Sequence, residues 1–167
     1  DLPAGSTPID FAYHVHTDIG HRCRGARVNG KLVPLDHELK TGDAVEILTA
    51  KRGGPSRDWL NSNLGLVKTQ RAKSKIRVWF KKLEVEQNLA TGRNTLEREL
   101  QRLGVSEVNF EKLARDLGYK TPDEMYVELG TGELSITKLI RQFAEDEEIK
   151  DILEANAPAA PRKATDA

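Results

Sequence analysis

Residues 1–23 read DLPAGSTPIDFAYHVHTDIGHRC, and this stretch decides the fold because it combines a helix start with the entry into a strand. Ser6 or Thr7 can cap a helix, and Pro8 fits the first helical turn. Asp10 lies where a carboxylate complements the positive end of the helix dipole. Apolar residues then recur at helical spacing, so the stretch predicts a short amphipathic helix.

The end of this helix is predicted at residues 17–20, TDIG. Gly20 can take a positive φ there, which lets the chain leave the helix without steric strain. The next residues, His21 to Cys23, are expected to enter a strand. His21 is therefore predicted to follow a flexible exit at the edge of a sheet.

The following residues carry strand and turn signals. Asn29-Gly30 is a strong hairpin signal between two short apolar segments. The predicted elements are strands at 24–28 and 31–34, one helical turn at 36–39, a tight turn at 40–43 and a buried strand at 44–49. Strand, helix, hairpin, turn and strand is the order of a small ubiquitin-like β-grasp fold.

Three stretches resemble one known family: LPAGSTPIDFAYHVHTDIGHRC, GARVNGKLVPLDHELKTGDAVEILTAK and PSRDWLNSNLGLVKTQRAKSKIRVWFKK. They are similar to the TGS domain and the following helical domain of the RelA/SpoT family, long bacterial enzymes that make and degrade guanosine tetraphosphate and pentaphosphate. The resemblance covers roughly residues 1–150. It implies an α+β fold, a β-grasp TGS domain followed by an all-α domain. The family's domain begins with one more strand, so this chain is expected to start inside it.

The domain organisation follows from composition and periodicity. We expect a TGS domain at 1–51, a linker with a short helical turn at 52–67, a helical domain at 68–150 and a disordered tail at 151–167. The first long helix begins near Thr69, and its apolar stripe changes face between Leu83 and Leu89, which predicts a break. Gly92 is predicted inside the helix that follows. Three shorter helices are expected at 110–117, 123–129 and 136–148.

Charge is segregated along the chain, although the formal net charge is zero. Residues 51–82 hold ten Lys or Arg and one Asp, whereas the segments on either side carry an acidic excess. A block this basic is typical of a surface that binds nucleic acid. Cys23 is the only cysteine, which excludes an internal disulfide, and no apolar run is long enough to cross a bilayer. A cytoplasmic location and no membrane partner are therefore expected.

The spacing of the histidines raises the possibility of a metal site, because His14, His16 and His21 lie close to Cys23 in sequence. His14 and His16 point to different faces of a helix, and the spacing fits no common zinc pattern, so we predict no metal. The competing interpretation leaves His14 solvated and His16 half-buried. In the resembled family the hydrolase and synthetase domains precede TGS. The resemblance therefore implies no catalysis and no cofactor in this chain, and a parent that is a GTP diphosphokinase, a guanosine tetraphosphate hydrolase, or both.

His21 is the strongest candidate for binding. An imidazole can stack on an unpaired base or hydrogen-bond a ribose hydroxyl, and the neighbouring Arg22 and Arg24 can meet phosphate. The resemblance implies more: the family's TGS domain contacts the CCA end of uncharged tRNA in the ribosomal A site, and His21 matches its histidine. The alternative is that His21 only pairs with backbone at a strand end.

The basic block is interpreted as an RNA-backbone surface that supports His21 and binds without sequence preference. Its alternative is a solvated helix face. Trp59 and Trp79 are predicted to be core rather than stacking platforms. The predicted backbone-binding residues are Lys51, Arg52, Arg57, Lys68, Arg71, Lys73, Lys75 and Arg77.

Two functions remain open. In the first, deacylated tRNA and the ribosome bind this chain, which then controls upstream catalytic domains. In the second, the chain is a protein-interaction module, because some members resembling the SpoT branch sense acyl carrier protein through TGS. An acidic carrier would favour Arg22, Arg24 and Arg27, so charge alone does not separate the two.

Overall fold

The computed structural model describes residues 2–155 of the chain, and side chains up to Glu147. The chain packs as two compact units: the first extends to Leu83 and the second begins at Glu84. Each unit has its own cluster of buried apolar residues. The two are described separately below, and together they confirm the predicted α+β fold class.

The opening helix of the first unit, α1, spans Pro8–Val15 and begins as predicted. Thr7 is its N-cap. The Thr7 backbone N–H donates to the Asp10 carboxylate at 2.9 Å, and the Asp10 N–H donates to the Thr7 hydroxyl at 3.3 Å. This reciprocal pair is a capping box, which satisfies two N–H groups that the helix itself cannot.

The predicted flexible exit is wrong, because residues 17–20 begin a second helix, α2, at Thr17–Arg22. Gly20 lies buried inside this helix and does not take a positive φ. A Cβ at Gly20 would lie 2.2 Å from Cδ1 of Tyr13. Glycine is therefore required for close packing of the Tyr13 ring, a tertiary reason that the local sequence does not reveal.

In residues 2–155 the sheet has three antiparallel strands in the order β2-β1-β3: β1 at Cys23–Val28, β2 at Lys31–Val33 and β3 at Val45–Thr49. Asn29 and Gly30 form the predicted hairpin turn with φ of 52° and 82°. In register, Ala26 faces Val33 on one side and Ile47 on the other. Strand β3 was predicted to be buried, but it lies at a sheet edge and is at most half-buried.

The helical turn predicted at residues 36–39 is also wrong. The chain turns at residues 35–36, where the His37 N–H donates to the carbonyl of Pro34 at 3.1 Å. The Leu39 N–H then donates to the carbonyl of Ser6 at 2.8 Å. This tertiary hydrogen bond uses the donor that a continuing helix would need. The tight turn predicted at residues 40–43 is confirmed by the bond from Asp43 N–H to the Lys40 carbonyl at 3.1 Å.

The core of the first unit reaches beyond the sheet into the predicted linker and the start of the predicted helical domain. Trp59 is 6% exposed, which confirms that it is a core residue, and a 3₁₀ turn at Arg57–Leu60 capped by Ser56 holds it. The buried cluster consists of Ile9, Ala12, Tyr13, Cys23, Trp59, Val67, Ala72 and Ile76. Residues 52–83 therefore pack with the sheet.

The long helix α3 runs without interruption over Gln70–Arg102, so the break predicted after Leu83 is wrong. Its first part contributes Ala72 and Ile76 to the first core, and its later part contributes Leu96 and Leu100 to the second. The apolar stripe changes face because each part packs against a different core. Periodicity alone could not distinguish this from a broken helix.

The second unit adds α4 at Phe110–Asp116, α5 at Pro122–Thr131 and α6 at Ile136–Ala155. These match the three predicted helices, although α6 extends past its predicted end and includes residues 151–155 of the predicted tail. The rest of that tail, residues 156–167, lies outside the described residues. Gly92 lies within α3, as predicted, and is buried. Among residues 2–155, none of the helices combines the length and hydropathy that crossing a membrane requires.

Candidate functional site

His21 lies in the last turn of α2 and is half-buried. Its Nδ1 is 2.9 Å from the hydroxyl oxygen of Tyr13, which reaches it from α1. Tyr13 is only 1% exposed. The structure therefore fixes one nitrogen of the imidazole against the core. Across the described part of the chain no protein partner of Nε2 is found, so that nitrogen can bond to something else.

Two aromatic rings frame the imidazole. The Tyr13 ring meets it edge-on, with centroids 5.3 Å apart and planes at 79°. The Trp79 ring lies on α3 with its centroid 6.2 Å from that of His21, at 48°. Both contacts limit rotation of the imidazole, so His21 is presented in a defined orientation rather than on a mobile loop.

Trp79 was predicted to be core, and it is half-buried. It packs edge-on against Phe80, with centroids 5.0 Å apart, and lies so close to Gly54 that a Cβ there would be 2.1 Å from its Cζ2. The rest of the ring lies beside His21. Sequence reasoning missed Trp79 as part of this site. The available signal was its position four residues after Lys75, which places both on one side of the helix.

The surroundings keep His21 uncharged near neutral pH. Partial burial lowers the pKa of His21 below its usual 6.5, the Asp18 carboxylate opposes this, and the Lys75 ammonium adds to it. Because the folded state binds a proton at His21 less readily than the unfolded state does, protonation of His21 favours unfolding. The folded protein is therefore most stable above pH 6.5 with respect to this group, and it loses stability as the pH falls from 6.5 towards the lower pKa of His21 in the folded state.

Both arginines predicted at the RNA end lie next to His21, but they also serve the protein itself. Arg22 donates from Nε to the Asp18 carboxylate at 3.0 Å and from Nη1 to the Ala50 carbonyl at 3.1 Å. Arg24 donates from Nη1 to the carbonyls of Cys23 and His21 at 2.7 and 3.3 Å, and from Nη2 to the carbonyl of Gly54 at 2.8 Å. Asp18 pairs with Arg22, whereas no carboxylate pairs with Arg24 among the side chains that the structure describes.

The basic residues of α3, together with Lys68 just before its start, divide into two groups on either side of the buried Ala72 and Ile76. At about 100° per residue, one group lies on each side of this buried stripe. Lys75 identifies the side facing α2, because its Nζ is 2.6 Å from the Thr17 hydroxyl. We call Lys68, Arg71 and Lys75 the His21 flank, and Lys73, Arg77 and Lys81 the opposite flank.

Lys68 and Arg71 line a groove of about 500 Å³ together with Tyr13 and His14. The groove reaches Tyr13, which bonds His21 through its hydroxyl. The structure thus brings Lys68 and Arg71 together at this groove and places Lys75 close to His21. It places Lys73 and Arg77 on the other side of the helix.

The remaining predicted backbone-binding residues lie in the connection between β3 and α3. Lys51 and Arg52 are exposed. They directly precede Gly53 and Gly54, the segment that contacts Arg24 and Trp79. Arg57 is exposed, and its guanidinium carbon lies 4.5 Å from the centroid of the Phe80 ring.

The other histidines of the opening stretch have local roles or face solvent. His16 is the N-cap of α2, where its Nδ1 accepts the N–H of Asp18 at 3.0 Å. The expectation that His16 is half-buried is wrong, since it is exposed, whereas His14 is exposed as expected. Within residues 2–155, no three His, Cys, Asp or Glu side chains come together to hold a metal ion.

Comparison with known proteins matches both parts of the chain. Residues 1–49 match the family model of the TGS domain, and residues 79–143 match that of the RelA/SpoT AH domain. A GTP pyrophosphokinase of Escherichia coli K12 is 47% identical over 141 residues, which cover 84% of this chain and 19% of that protein.

Two further relatives match almost the whole chain. A GTP pyrophosphokinase of Photobacterium angustum is 40% identical over 173 residues, or 99% of this chain and 23% of that protein. The bifunctional (p)ppGpp synthase/hydrolase RelA of Mycobacterium tuberculosis is 40% identical over 182 residues, or 99% of this chain and 24% of that protein. The chain thus spans about a fifth to a quarter of the length of these relatives.

Proposed function

The chain belongs to the RelA/SpoT family, and from that membership we propose that it is the segment through which a guanosine tetraphosphate and pentaphosphate synthetase or hydrolase senses deacylated tRNA on the ribosome. The observation that carries the proposal is the half-buried imidazole of His21, oriented by Tyr13 and Trp79, with the Lys75 ammonium close by. In this proposal the chain has no catalytic role of its own. It relays tRNA binding to catalytic domains of the same protein.

The proposed recognition depends on one hydrogen bond. An uncharged imidazole at the surface bonds a neutral group such as a ribose hydroxyl without the cost of burying a charge. On an aminoacylated tRNA the terminal ribose carries an ester, which removes a hydroxyl and adds bulk. A polar group of the site would then lose its partner, and this loss discriminates between the two tRNAs.

The cations supply affinity rather than selectivity. Lys75 lies close to His21, and Lys68 and Arg71 line the groove that includes Tyr13. In this proposal the three side chains contact phosphates of the tRNA acceptor end. Such contacts are independent of sequence and weaken as salt increases, because binding releases condensed counterions.

The alternative, acyl carrier protein as the ligand, depends on three arginines near the sheet. Two of them are paired with carboxylates: Arg22 with Asp18 at 2.9 Å and Arg27 with Glu46 at 3.2 Å. Arg24 donates to three backbone carbonyls. An acidic partner would have to compete with these contacts, whereas the RNA proposal depends mainly on His21 and Lys75, which lie outside this set of arginines.

The first test measures whether the chain distinguishes the two forms of tRNA. We expect deacylated tRNA to bind about tenfold more tightly than aminoacylated tRNA, since one unpaired polar group costs about 1–3 kcal/mol. His21→Glu should abolish the difference. His37→Glu is the matched control, because it adds the same charge at a histidine that lies outside the groove of Lys68 and Arg71, and it should preserve the difference. Equal binding of both tRNAs by the unaltered chain would refute the proposed function.

The second test separates the two flanks of α3 by the salt dependence of tRNA binding. Changing Lys68, Arg71 and Lys75 together to Gln should reduce the slope of log K against log salt by about 2, since each phosphate contact contributes about 0.7–0.9. The control changes Lys73, Arg77 and Lys81 to Gln, removes the same charge and should leave most of the slope. Equal reductions in both variants would mean that the positive charge acts without a defined docking side.

A further inference from the structure

The Tyr13 hydroxyl has a single protein partner within the described residues, namely His21 Nδ1 at 2.9 Å. Tyr13 is 1% exposed, so its hydroxyl has little access to water. Burial also raises the pKa of Tyr13 well above its usual 10, which keeps the proton on the oxygen. A buried hydroxyl that cannot donate its proton is costly, because the donor loses its solvation without compensation.

This cost decides the direction of the hydrogen bond. If Nδ1 carried the imidazole proton, it would donate to the Tyr13 oxygen and leave the tyrosine proton without an acceptor. If Nδ1 is bare, Tyr13 donates to it and both groups are satisfied. The neutral imidazole then carries its proton on Nε2, the nitrogen that has no protein partner among residues 2–155.

The residues around the pair hold this arrangement in place. Gly20 immediately precedes His21, and only a residue without a Cβ allows the Tyr13 ring to lie against α2 at this point, since a Cβ would be 2.2 Å from Cδ1. Trp79 stands on another side of the imidazole at 6.2 Å between centroids. The charged groups near His21 are Asp18 of α2, Lys75 of α3 and Arg24, whose Nη1 bonds the His21 carbonyl.

We propose that Tyr13 is a positioning residue: its hydroxyl, packed against Gly20, fixes His21 in the Nε2–H form, so that the site offers one neutral hydrogen-bond donor to its ligand. The ligand group must then be a hydrogen-bond acceptor, and under the proposed function it is a ribose hydroxyl oxygen. This inference rests on the proposed function for the identity of the ligand. The tautomer itself is a property of the free chain and does not depend on RNA.

The first experiment measures the ring nitrogens of His21 in the free, full-length chain by NMR, because the ¹⁵N shift of a protonated ring nitrogen differs from that of one bearing a lone pair. At neutral pH we expect a bare Nδ1 and a protonated Nε2. Tyr13→Phe should shift the Nδ1 resonance, whereas Tyr119→Phe, in the second unit, should leave it unchanged. A protonated Nδ1 in the unaltered chain, or no shift in Tyr13→Phe, would overturn the inference even if tRNA binding is confirmed.

The second experiment asks which nitrogen the ligand uses. Glutamine places an amide N–H near the position of Nε2, whereas asparagine reaches only the position of Nδ1. We expect His21→Gln to keep most of the preference for deacylated tRNA and His21→Asn to lose it. Tyr13→Phe should weaken deacylated tRNA binding about fivefold by releasing the ring, with aminoacylated tRNA little affected. If His21→Asn keeps the preference and His21→Gln loses it, Nε2 is not the reading atom.

Discussion

Replacing Gly92 with alanine is expected to destabilise the second unit by about 3 kcal/mol, although the same change inside an ordinary helix stabilises by about 1 kcal/mol. Gly92 is buried where α3 passes α5. A Cβ at this position would lie 1.8 Å from the carbonyl oxygen of Tyr126 and 2.9 Å from the nitrogen of Gly130. Both are backbone atoms of a helix, so neither can move aside without displacing α5.

The partner helix has the same requirement, since a Cβ at Gly130 would lie 1.9 Å from the carbonyl oxygen of Asn88. The two glycines therefore permit one close backbone crossing, and enlarging either residue separates the helices. That separation would open the packing of buried residues such as Leu96 and Met125, whose apolar burial stabilises this unit. The predicted loss of stability therefore has two sources: the added methyl group clashes with the backbone of α5, and the separation of the helices leaves space in the core.

Urea unfolding followed by two signals tests this prediction. Both tryptophans of the chain, Trp59 and Trp79, belong to the first unit, so fluorescence reports on that unit. In Gly92→Ala we expect the far-UV circular dichroism of the helices to be lost at lower urea, while fluorescence keeps its midpoint. Thr91→Ala changes the exposed neighbour on the same helix and should alter stability by less than about 0.5 kcal/mol. If Gly92→Ala is as stable as the unaltered chain, the backbones of α3 and α5 do not approach as closely at Gly92 as the structure indicates.

Features of the fold that depend on adjacent residues were predictable from sequence. The capping box of Thr7 and Asp10 and the Asn29-Gly30 hairpin have their whole physical cause within a few residues. Gly20 was misread because its cause is a ring seven residues away, packed across the start of a second helix. A glycine signals only that a side chain is excluded, and the reason lies either in the backbone angle or in a neighbouring group.

The continuity of α3 could also not be predicted from the sequence. A helix that serves two cores must change its buried face, and the same pattern arises when a helix breaks. The edge position of β3 has a similar cause, because an apolar run such as residues 44–49 predicts a strand but not its number of neighbours. Both errors concern what an element packs against rather than which element forms.

At the candidate site, the sequence indicated His21 but not the residues that orient it. Tyr13 is buried and bonds His21 through its hydroxyl, a tertiary contact for which the local sequence carries no signal. Trp79 fell on the apolar stripe, and only the structure shows one part of its ring beside the imidazole. The basic residues could be counted, but assigning a side to Lys75 required the contact with Thr17. Their role in binding RNA stays a prediction.

Replacing Asp10 with alanine is expected to destabilise the first unit by about 3–5 kcal/mol, because it leaves several buried donors unsatisfied and each costs about 1–3 kcal/mol. Asp10 is 1% exposed. Its carboxylate accepts the Thr7 N–H at 2.9 Å, the Lys68 N–H at 3.1 Å, and the N–H and hydroxyl of Thr69 at 3.0 and 2.9 Å. One side chain thus caps α1 and also satisfies N–H groups at the start of α3.

The loss should exceed that of an ordinary N-cap, which costs about 1 kcal/mol, because the donors left behind are buried and come from two segments. Asp10→Asn keeps the shape but offers an amide N–H where only donors converge, so it should also destabilise the unit. Asp36→Ala is the control, since it removes an exposed carboxylate of the same unit. In Asp10→Ala we expect the urea midpoint of tryptophan fluorescence to be lower than that of the circular dichroism signal. This is the reverse of the order expected for Gly92→Ala. If Asp10→Ala and Asp36→Ala unfold together, the carboxylate does not hold α3 against α1, and the position of Lys75 beside His21 must have another cause.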